Sequence, residues 1–196
     1  MSALATAAPA KGLFVAIVGP SGVGKDALIR GLAARLGEAD GVAFARRVVT
    51  RSADAFEDHD TLAEAEFVAA EAEGRFALAW RAHGLCYGVP REIEARLAAG
   101  QAVVCNVSRA AVADVRRLYS PSLVVLVTAR PEILAARLAG RGRDDGASRR
   151  ERLERSVVAE VALEPDAIID NDGALDEAIA RLHDLVVGHL RRTAGP

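Results

Sequence analysis

The chain has 196 residues, of which 51% are hydrophobic and 27% are charged, and its formal net charge is −2. This length suffices for one domain with a sizeable core, and the near balance of charge argues against broad nucleic-acid binding, which needs a basic excess. Cys86 and Cys105 are isolated, residues 1–10 lack the features of a secretion signal, and no apolar run approaches a membrane span, so we predict a soluble cytoplasmic protein with reduced cysteines and no nucleic-acid or membrane partner.

The first predicted element is a strand over the apolar run from Leu13 to Val18, which a glycine-rich loop and a helix follow. The loop fits the phosphate-loop pattern and comprises Gly19, Pro20, Ser21, Gly22, Val23, Gly24, Lys25 and Asp26. Its glycines let backbone N–H groups turn toward phosphate oxygens, the helix N-terminus adds a partial positive charge, and Lys25 supplies a full one. The loop therefore predicts an ATP site with Lys25 as a catalytic group; a glycine-rich turn without a ligand is the weaker alternative.

Asp26 departs from the phosphate-loop pattern, because the residue after the lysine is normally Ser or Thr, whose hydroxyl contacts Mg²⁺. A carboxylate can bind Mg²⁺ directly or through water, which makes Asp26 a candidate metal residue. An acidic residue in the first helical turn also stabilises the helix dipole. Both interpretations of Asp26 stay open at this point.

The segment from Val42 to Thr50 is strand-like, and alternation along it predicts that Arg47 and Arg51 point the same way. Two guanidinium groups at a strand end can hold a phosphate bidentately, while a solvated strand edge is the alternative.

The polar loop that follows contains Glu57 and His59. Adjacent residues of an extended loop do not converge on a metal, so we consider a substrate-facing loop and a plain solvated loop instead.

Several short elements are predicted in the middle of the chain. Thr61 and Glu64 form a capping-box pattern that would open a helix ending near Gly74. A strand is predicted over 76–80, and Tyr87 is placed in a glycine-flanked loop as a candidate ligand contact. Pro90 is predicted to begin the next helix, which ends at Gly100.

Two further apolar runs, 102–105 and 123–127, are typical of buried parallel strands. Asn106, Ser108 and Arg109 follow the first run, and ligands collect at the carboxyl ends of strands in such sheets. These three residues are therefore predicted to face the substrate. A final strand over 167–169 and a closing helix complete an alternation of strands and helices that predicts a doubly wound α/β core.

Arginines are concentrated between Arg137 and Arg155, with two glycines interrupting the first group. A glycine-hinged, arginine-rich excursion suits a lid over ATP, because its cations neutralise charge on the transferring phosphoryl group. We therefore predict a lid with Arg137, Arg141 and Arg152 as catalytic residues. An exposed basic helix paired with neighbouring glutamates is the alternative.

Taken in order, these motifs resemble those of the guanylate-kinase-like nucleoside monophosphate kinases from about Gly12 to Leu190. The resemblance implies an α/β P-loop NTPase fold with three layers and a parallel central sheet, and ATP with Mg²⁺ as cofactors. It also implies a single kinase domain over 12–190, in which Arg51 holds the acceptor phosphate and Tyr87 assists. The implied parts are a core (12–45, 91–136 and 160–190), an acceptor-binding insert (46–90), a lid (137–152), and flexible termini (1–11 and 191–196).

The departures from that family concern its acceptor. Asp54 stands where a second phosphate-binding arginine is expected, Leu62 lies where a tyrosine is missing, and Asn106 replaces an aspartate. Apolar Leu78 and Ala79 occupy the place of the glutamate that reads guanine. Because an apolar side chain cannot accept hydrogen bonds from the base, GMP is predicted to be a poor acceptor.

A narrower resemblance, to the ribose 1,5-bisphosphate phosphokinases of phosphonate breakdown, fits these departures. It is carried by Asp26 in the loop, Arg47 to Arg51, Glu57 to His59, Trp80 to Gly88, and Asn106 to Arg109. The resemblance implies ATP-dependent phosphorylation of ribose 1,5-bisphosphate to 5-phospho-α-D-ribose 1-diphosphate (PRPP), with a monomer or homodimer acting on small molecules. The alternatives are a nucleoside monophosphate kinase with altered base preference and a non-catalytic phospholigand-binding module.

Overall fold

The computed structural model describes residues 12–52, 58–82, 84–139 and 164–193. Apolar runs form a five-stranded parallel sheet with the strand order β2-β7-β1-β8-β9, and a second, four-stranded sheet has the order β4-β3-β6-β5. The strands are β1 (Phe14–Val18), β2 (Val42–Phe44), β3 (Val48–Val49), β4 (Asp60–Thr61), β5 (Phe76–Ala82), β6 (Leu85–Pro90), β7 (Ala102–Asn106), β8 (Ser122–Thr128) and β9 (Ala167–Asp170). The described helices are α1 (Lys25–Ala33), α2 (Glu64–Ala72), α3 (Ile93–Ala98), α4 (Val112–Leu118), α5 (Pro131–Ala139) and α6 (Leu175–Thr193).

The central sheet is covered on both faces, which explains why its strands are continuously apolar. Val15 and Ile17 of β1 pack in one core cluster with α1 and α6, while Phe14, Ala16 and Val18 pack in another with α3 and α4. All five residues of β1 are buried. This alternation of faces confirms the predicted P-loop α/β fold with a parallel central sheet between helical layers.

Close packing of α1 on α6 fixes the helix that follows the phosphate loop. A Cβ atom at Gly31 would lie 2.1 Å from Cδ1 of Ile179, so the glycine permits the two helices to approach closely. Leu28 and Leu32 of α1 and Leu182 of α6 are buried in the same core cluster. This packing positions α1, whose first residue is Lys25, against α6 and the sheet.

The second sheet is formed by strands from residues 48–90 and corrects several local predictions. The strand-like segment 42–50 is divided between β2 of the central sheet and β3 of the second sheet, so Arg47 lies between two strands. Thr61 lies in β4 and donates to the Arg51 carbonyl at 3.1 Å, whereas the N–H of Ala63 is bound by Glu66, so the predicted capping box was wrong.

Two further predictions near this sheet were also wrong. Tyr87 lies in β6 and not in a loop, because it pairs with Trp80 of β5 and Val49 of β3. Pro90 ends β6, and α3 begins only at Ile93. At the carboxyl end of the chain, α6 continues to Thr193. Among the described helices, none combines the length and the apolar composition that a membrane span requires.

Candidate active site

The phosphate loop connects β1 to α1 at the carboxyl end of the central sheet. Gly22 and Gly24 have φ angles of +83° and +99°, which side chains disfavour, and the N–H of Val23 donates to the Pro20 carbonyl at 3.4 Å. Lys25 Nζ donates to the carbonyl oxygens of Gly19 and Pro20, both at 2.9 Å, so its ammonium group lies across the loop. This is the arrangement of main-chain and ammonium donors that binds polyphosphate anions.

The back of the loop is held by two side chains that converge on the Val23 carbonyl. Asn171 Nδ2 donates to it at 2.7 Å and Arg137 Nη1 at 3.3 Å, while Arg137 Nη2 donates to the Asn171 carbonyl at 2.9 Å. In a trans peptide the C=O and the following N–H point in opposite directions. Holding the Val23 carbonyl from behind therefore directs the Gly24 N–H toward the phosphate side.

Asn171 is not among the site residues predicted from the sequence, because its partner in the loop is a backbone carbonyl, which no pattern of residue types marks. The signal was its position, since it directly follows β9 at the carboxyl edge of the sheet. Asn171 is 2% exposed, and the neighbouring Asp172 accepts hydrogen bonds from the backbone N–H of Arg130 at 2.6 Å and from its guanidinium at 2.8 Å. These bonds from Arg130 lower the pKa of Asp172 and tie the segment to the turn before α5.

Asn171→Ala is expected to weaken ATP binding by about tenfold, since a lost buried hydrogen bond costs about 1–3 kcal/mol. Asn171→Asp keeps the volume but replaces the Nδ2 donor by an acceptor, so it should weaken binding at least as much. Calorimetric titration of folded variants with ATP measures the effect. Wild-type affinity in the aspartate variant would contradict a role for the Asn171 donor.

On the other side of the loop, three polar residues from separate elements meet. Asn106 Nδ2, at the end of β7, donates to Asp26 Oδ1 at 2.9 Å, and Arg47 Nη2 lies 3.6 Å from the same oxygen. Arg47 is 9% exposed and Asn106 is 6% exposed. The cluster brings Asp26 of the phosphate loop into direct contact with two residues predicted to bind the acceptor.

Cys105, next to Asn106, is a free and buried cysteine. Burial raises the pKa of its thiol to about 12, with Arg47 opposing the shift and Asp26 adding to it. The thiol is therefore neutral at physiological pH, and it is the thiolate that reacts.

The remaining predicted acceptor residues occupy varied environments. His59 is 2% exposed, with Nδ1 3.1 Å from the Asp60 carbonyl oxygen, and Tyr87 stacks on Trp80 with ring centroids 5.5 Å apart. Ser108 Oγ accepts from the N–H of Ala110 at 3.3 Å and so caps the turn that contains Arg109. The predicted residues Glu57, Arg141 and Arg152 lie outside the described part of the chain.

The loop and Asp26 fit a magnesium nucleotide. Mg²⁺ is commonly held by one or two carboxylates together with substrate phosphates and water, rather than by a protein cage. In the described ranges, no group of three or more His, Cys, Asp or Glu residues could hold a metal alone. Asp26 is the residue that would hold the ion with the nucleotide, since its carboxylate stands at the loop beside Lys25.

Comparisons with known proteins agree with this geometry. Residues 11–188 match the family model described as guanylate kinase. Ribose 1,5-bisphosphate phosphokinase of Methylobacterium radiotolerans is 48% identical over 180 residues, which cover 92% of this chain and 98% of that protein. The protein of the same name from Brucella melitensis is 43% identical over 182 residues, covering 90% of this chain and 95% of the relative.

The fold has a solved counterpart in the guanylate kinase of Anaplasma phagocytophilum. The two structures superpose with a TM-score of 0.72 over 93% of this chain and 88% of that one, at 17% sequence identity. The structural likeness supports the assignment of the fold. The 43–48% sequence identity to the two phosphokinases supports the closer relationship. The chain therefore belongs to the guanylate kinase family and, within it, to the ribose 1,5-bisphosphate phosphokinases.

Proposed function

We propose that the protein transfers the γ-phosphoryl group of ATP to the 1-phosphate of ribose 1,5-bisphosphate, which yields PRPP and ADP. The observation that carries the proposal is the 48% identity to a relative named for this substrate, over nearly its whole length. The phosphate loop with Lys25 supplies the ATP site that such an enzyme needs. We further propose that it works in the cytoplasm as a monomer or homodimer.

The proposed acceptor fits the residues beside the loop. A sugar bisphosphate carries two anionic groups and no base, and the buried guanidinium of Arg47 lies next to Asp26 at the ATP loop. Leu78 of β5, where guanine reading would require a hydrogen-bond acceptor, is 5% exposed and packs in the core. These contacts favour a phosphate-rich sugar over GMP.

The proposed reaction is an in-line displacement at the γ-phosphorus. An anionic oxygen of the acceptor's 1-phosphate forms a bond to that phosphorus while the bond to the β-bridging oxygen breaks, and ADP leaves with the electron pair. Because the attacking oxygen is already anionic, the reaction requires no general base. Lys25 and the loop amides hold the β- and γ-phosphates, and Arg47 and Arg51 orient the acceptor.

Mg²⁺, when bound, neutralises negative charge on the β- and γ-phosphate oxygens, and Asp26 is proposed to hold it. Arg137 holds the loop from its backbone side through the Val23 carbonyl. We propose that Arg141 and Arg152 supply the cations that close over the transferring group.

An acceptor panel tests this function. We expect kcat/KM for ribose 1,5-bisphosphate to exceed that for GMP by at least about 10³-fold. The reason is that the site offers no hydrogen-bond acceptor for the guanine base, so GMP gains no binding energy from its base. Ribose 5-phosphate lacks the 1-phosphate and is the matched control, for which no transfer is expected. Efficient phosphorylation of GMP with no turnover of the sugar bisphosphate would instead identify a nucleoside monophosphate kinase.

A further inference from the structure

The contact between Asp26 and Asn106 joins two positions that have defined roles in phosphate-loop proteins. In P-loop NTPases generally, Mg²⁺ is held by the Ser or Thr that follows the loop lysine and by an aspartate on a strand. Here an aspartate follows Lys25, and an asparagine ends β7 directly beside β1, where Ile17 pairs with Asn106. The two side chains are bonded at 2.9 Å.

We propose that the carboxylate and the uncharged group have exchanged places across this contact, and that Asn106 is a positioning residue that holds Asp26 toward the cation of the nucleotide. The inference rests on the ATP- and Mg²⁺-binding part of the proposed function. In the usual order, the neutral residue follows the lysine and the carboxylate lies on the strand. Here position 26 supplies the carboxylate and position 106 supplies its neutral partner.

Charge explains why the partner of Asp26 is uncharged. An aspartate at position 106 would place a second carboxylate at hydrogen-bonding distance from Asp26 in a site where position 106 is 6% exposed. Two carboxylates this close repel each other, and partial burial strengthens the repulsion because less water screens it. Arg47, 3.6 Å from Asp26, carries a single positive charge and so offsets only one of the two carboxylates.

The bonding pattern indicates which oxygen Asp26 offers to a cation. Asn106 and Arg47 both contact Oδ1. The hydrogen bond from Asn106 is 2.9 Å long and the ion contact with Arg47 is 3.6 Å long, and both fall on this one oxygen. The amide of Asn106 thus fixes the carboxylate through one oxygen and leaves the other for a ligand.

A simpler interpretation gives Asp26 only a favourable interaction with the dipole of α1. That role depends on the position of Asp26 in the first turn and not on Asn106, which is 80 residues distant in sequence. The two interpretations therefore differ in whether the effects of changing positions 26 and 106 depend on each other.

A double-mutant cycle tests the exchange in the full-length protein with Asp26→Ser, Asn106→Asp and the double variant. In EDTA, we expect Asn106→Asp to lower Tm by about 4 °C or more, and to have no such effect when Asp26 is already serine. The second readout is the ratio of ADP dissociation constants in EDTA and in Mg²⁺, measured by calorimetry. That ratio should fall at least about tenfold in Asp26→Ser and return to within about threefold of wild type in the double variant.

Additive changes in Tm, an unchanged ratio in Asp26→Ser, or no recovery in the double variant would each overturn the proposal. Asp114→Ser removes an exposed carboxylate from α4 and serves as the control, with neither readout changed. If Asn106→Asp does not fold alone, the recovery in the double variant still decides the matter. No acceptor is present in these measurements, so they can succeed where the acceptor panel fails, and the reverse.

Discussion

Lys25→Ala is expected to lower kcat by about 10³-fold, because removing a preorganised donor from the transition-state charge has effects of this size. Lys25 Nζ is held across the loop by the carbonyl oxygens of Gly19 and Pro20. These bonds hold the ammonium group at the loop, where the phosphates of a bound nucleotide would replace the carbonyl oxygens as its partners. Steady-state assay of ADP formation with saturating ribose 1,5-bisphosphate measures the loss.

Arg35→Ala provides the matched control for this experiment. Arg35 follows α1, its side chain is 38% exposed, and it pairs with the exposed Asp176 at 3.1 Å. An exposed pair of this kind contributes little to stability, so kcat should stay at the wild-type value. Retention of more than about a tenth of the activity in Lys25→Ala would contradict the assigned role of the lysine.

Gly24→Ala is expected to weaken ATP binding by about 100-fold, because it disturbs the loop in two ways at once. Gly24 has φ of +99°, a conformation that costs a side chain about 1–3 kcal/mol. A Cβ atom there would also lie 2.5 Å from Asn171 Nδ2, the atom that holds the Val23 carbonyl. The substitution therefore displaces the donor behind the loop as well as straining the loop itself. Calorimetric titration with ATP measures the change.

Gly41→Ala separates these two causes. Gly41 has φ of +74°, but a Cβ atom at this position would meet no atom within 4 Å. It should therefore lose about 1–2 kcal/mol of unfolding free energy from backbone strain while keeping the wild-type affinity for ATP. If Gly24→Ala lost only the same stability and no affinity, contact between the loop and Asn171 would not shape the ATP site.

Elements with strong local signals were predictable from sequence. The apolar runs around Val15 and Val104 identify buried parallel strands, because covering both faces of a sheet leaves no place for polar alternation. The loop before Lys25 was equally readable, since its glycines, lysine and flanking elements stand together in the chain. Such local patterns determine the fold class and carry the prediction of the ATP site.

What the sequence did not reveal depends on contacts between distant segments. Asn106 and Asp26 are hydrogen-bonded although they are 80 residues apart in the sequence, and no local sequence pattern predicts this contact. Tyr87 was misassigned to a loop because its glycine neighbour suggests a turn, while pairing with two other strands keeps it extended. Asn171 acts by donating a hydrogen bond to the Val23 carbonyl. Every residue has a backbone carbonyl, so the sequence does not show which one Asn171 binds.

The most direct test of the proposed reaction is ³¹P NMR of the purified protein incubated with ATP, Mg²⁺ and ribose 1,5-bisphosphate. The proposed function predicts that the 1-phosphate signal is replaced by two mutually coupled signals of a new diphosphate, while the 5-phosphate signal persists and ADP forms in equal amount. Formation of ADP with free inorganic phosphate and an unchanged 1-phosphate signal would contradict it.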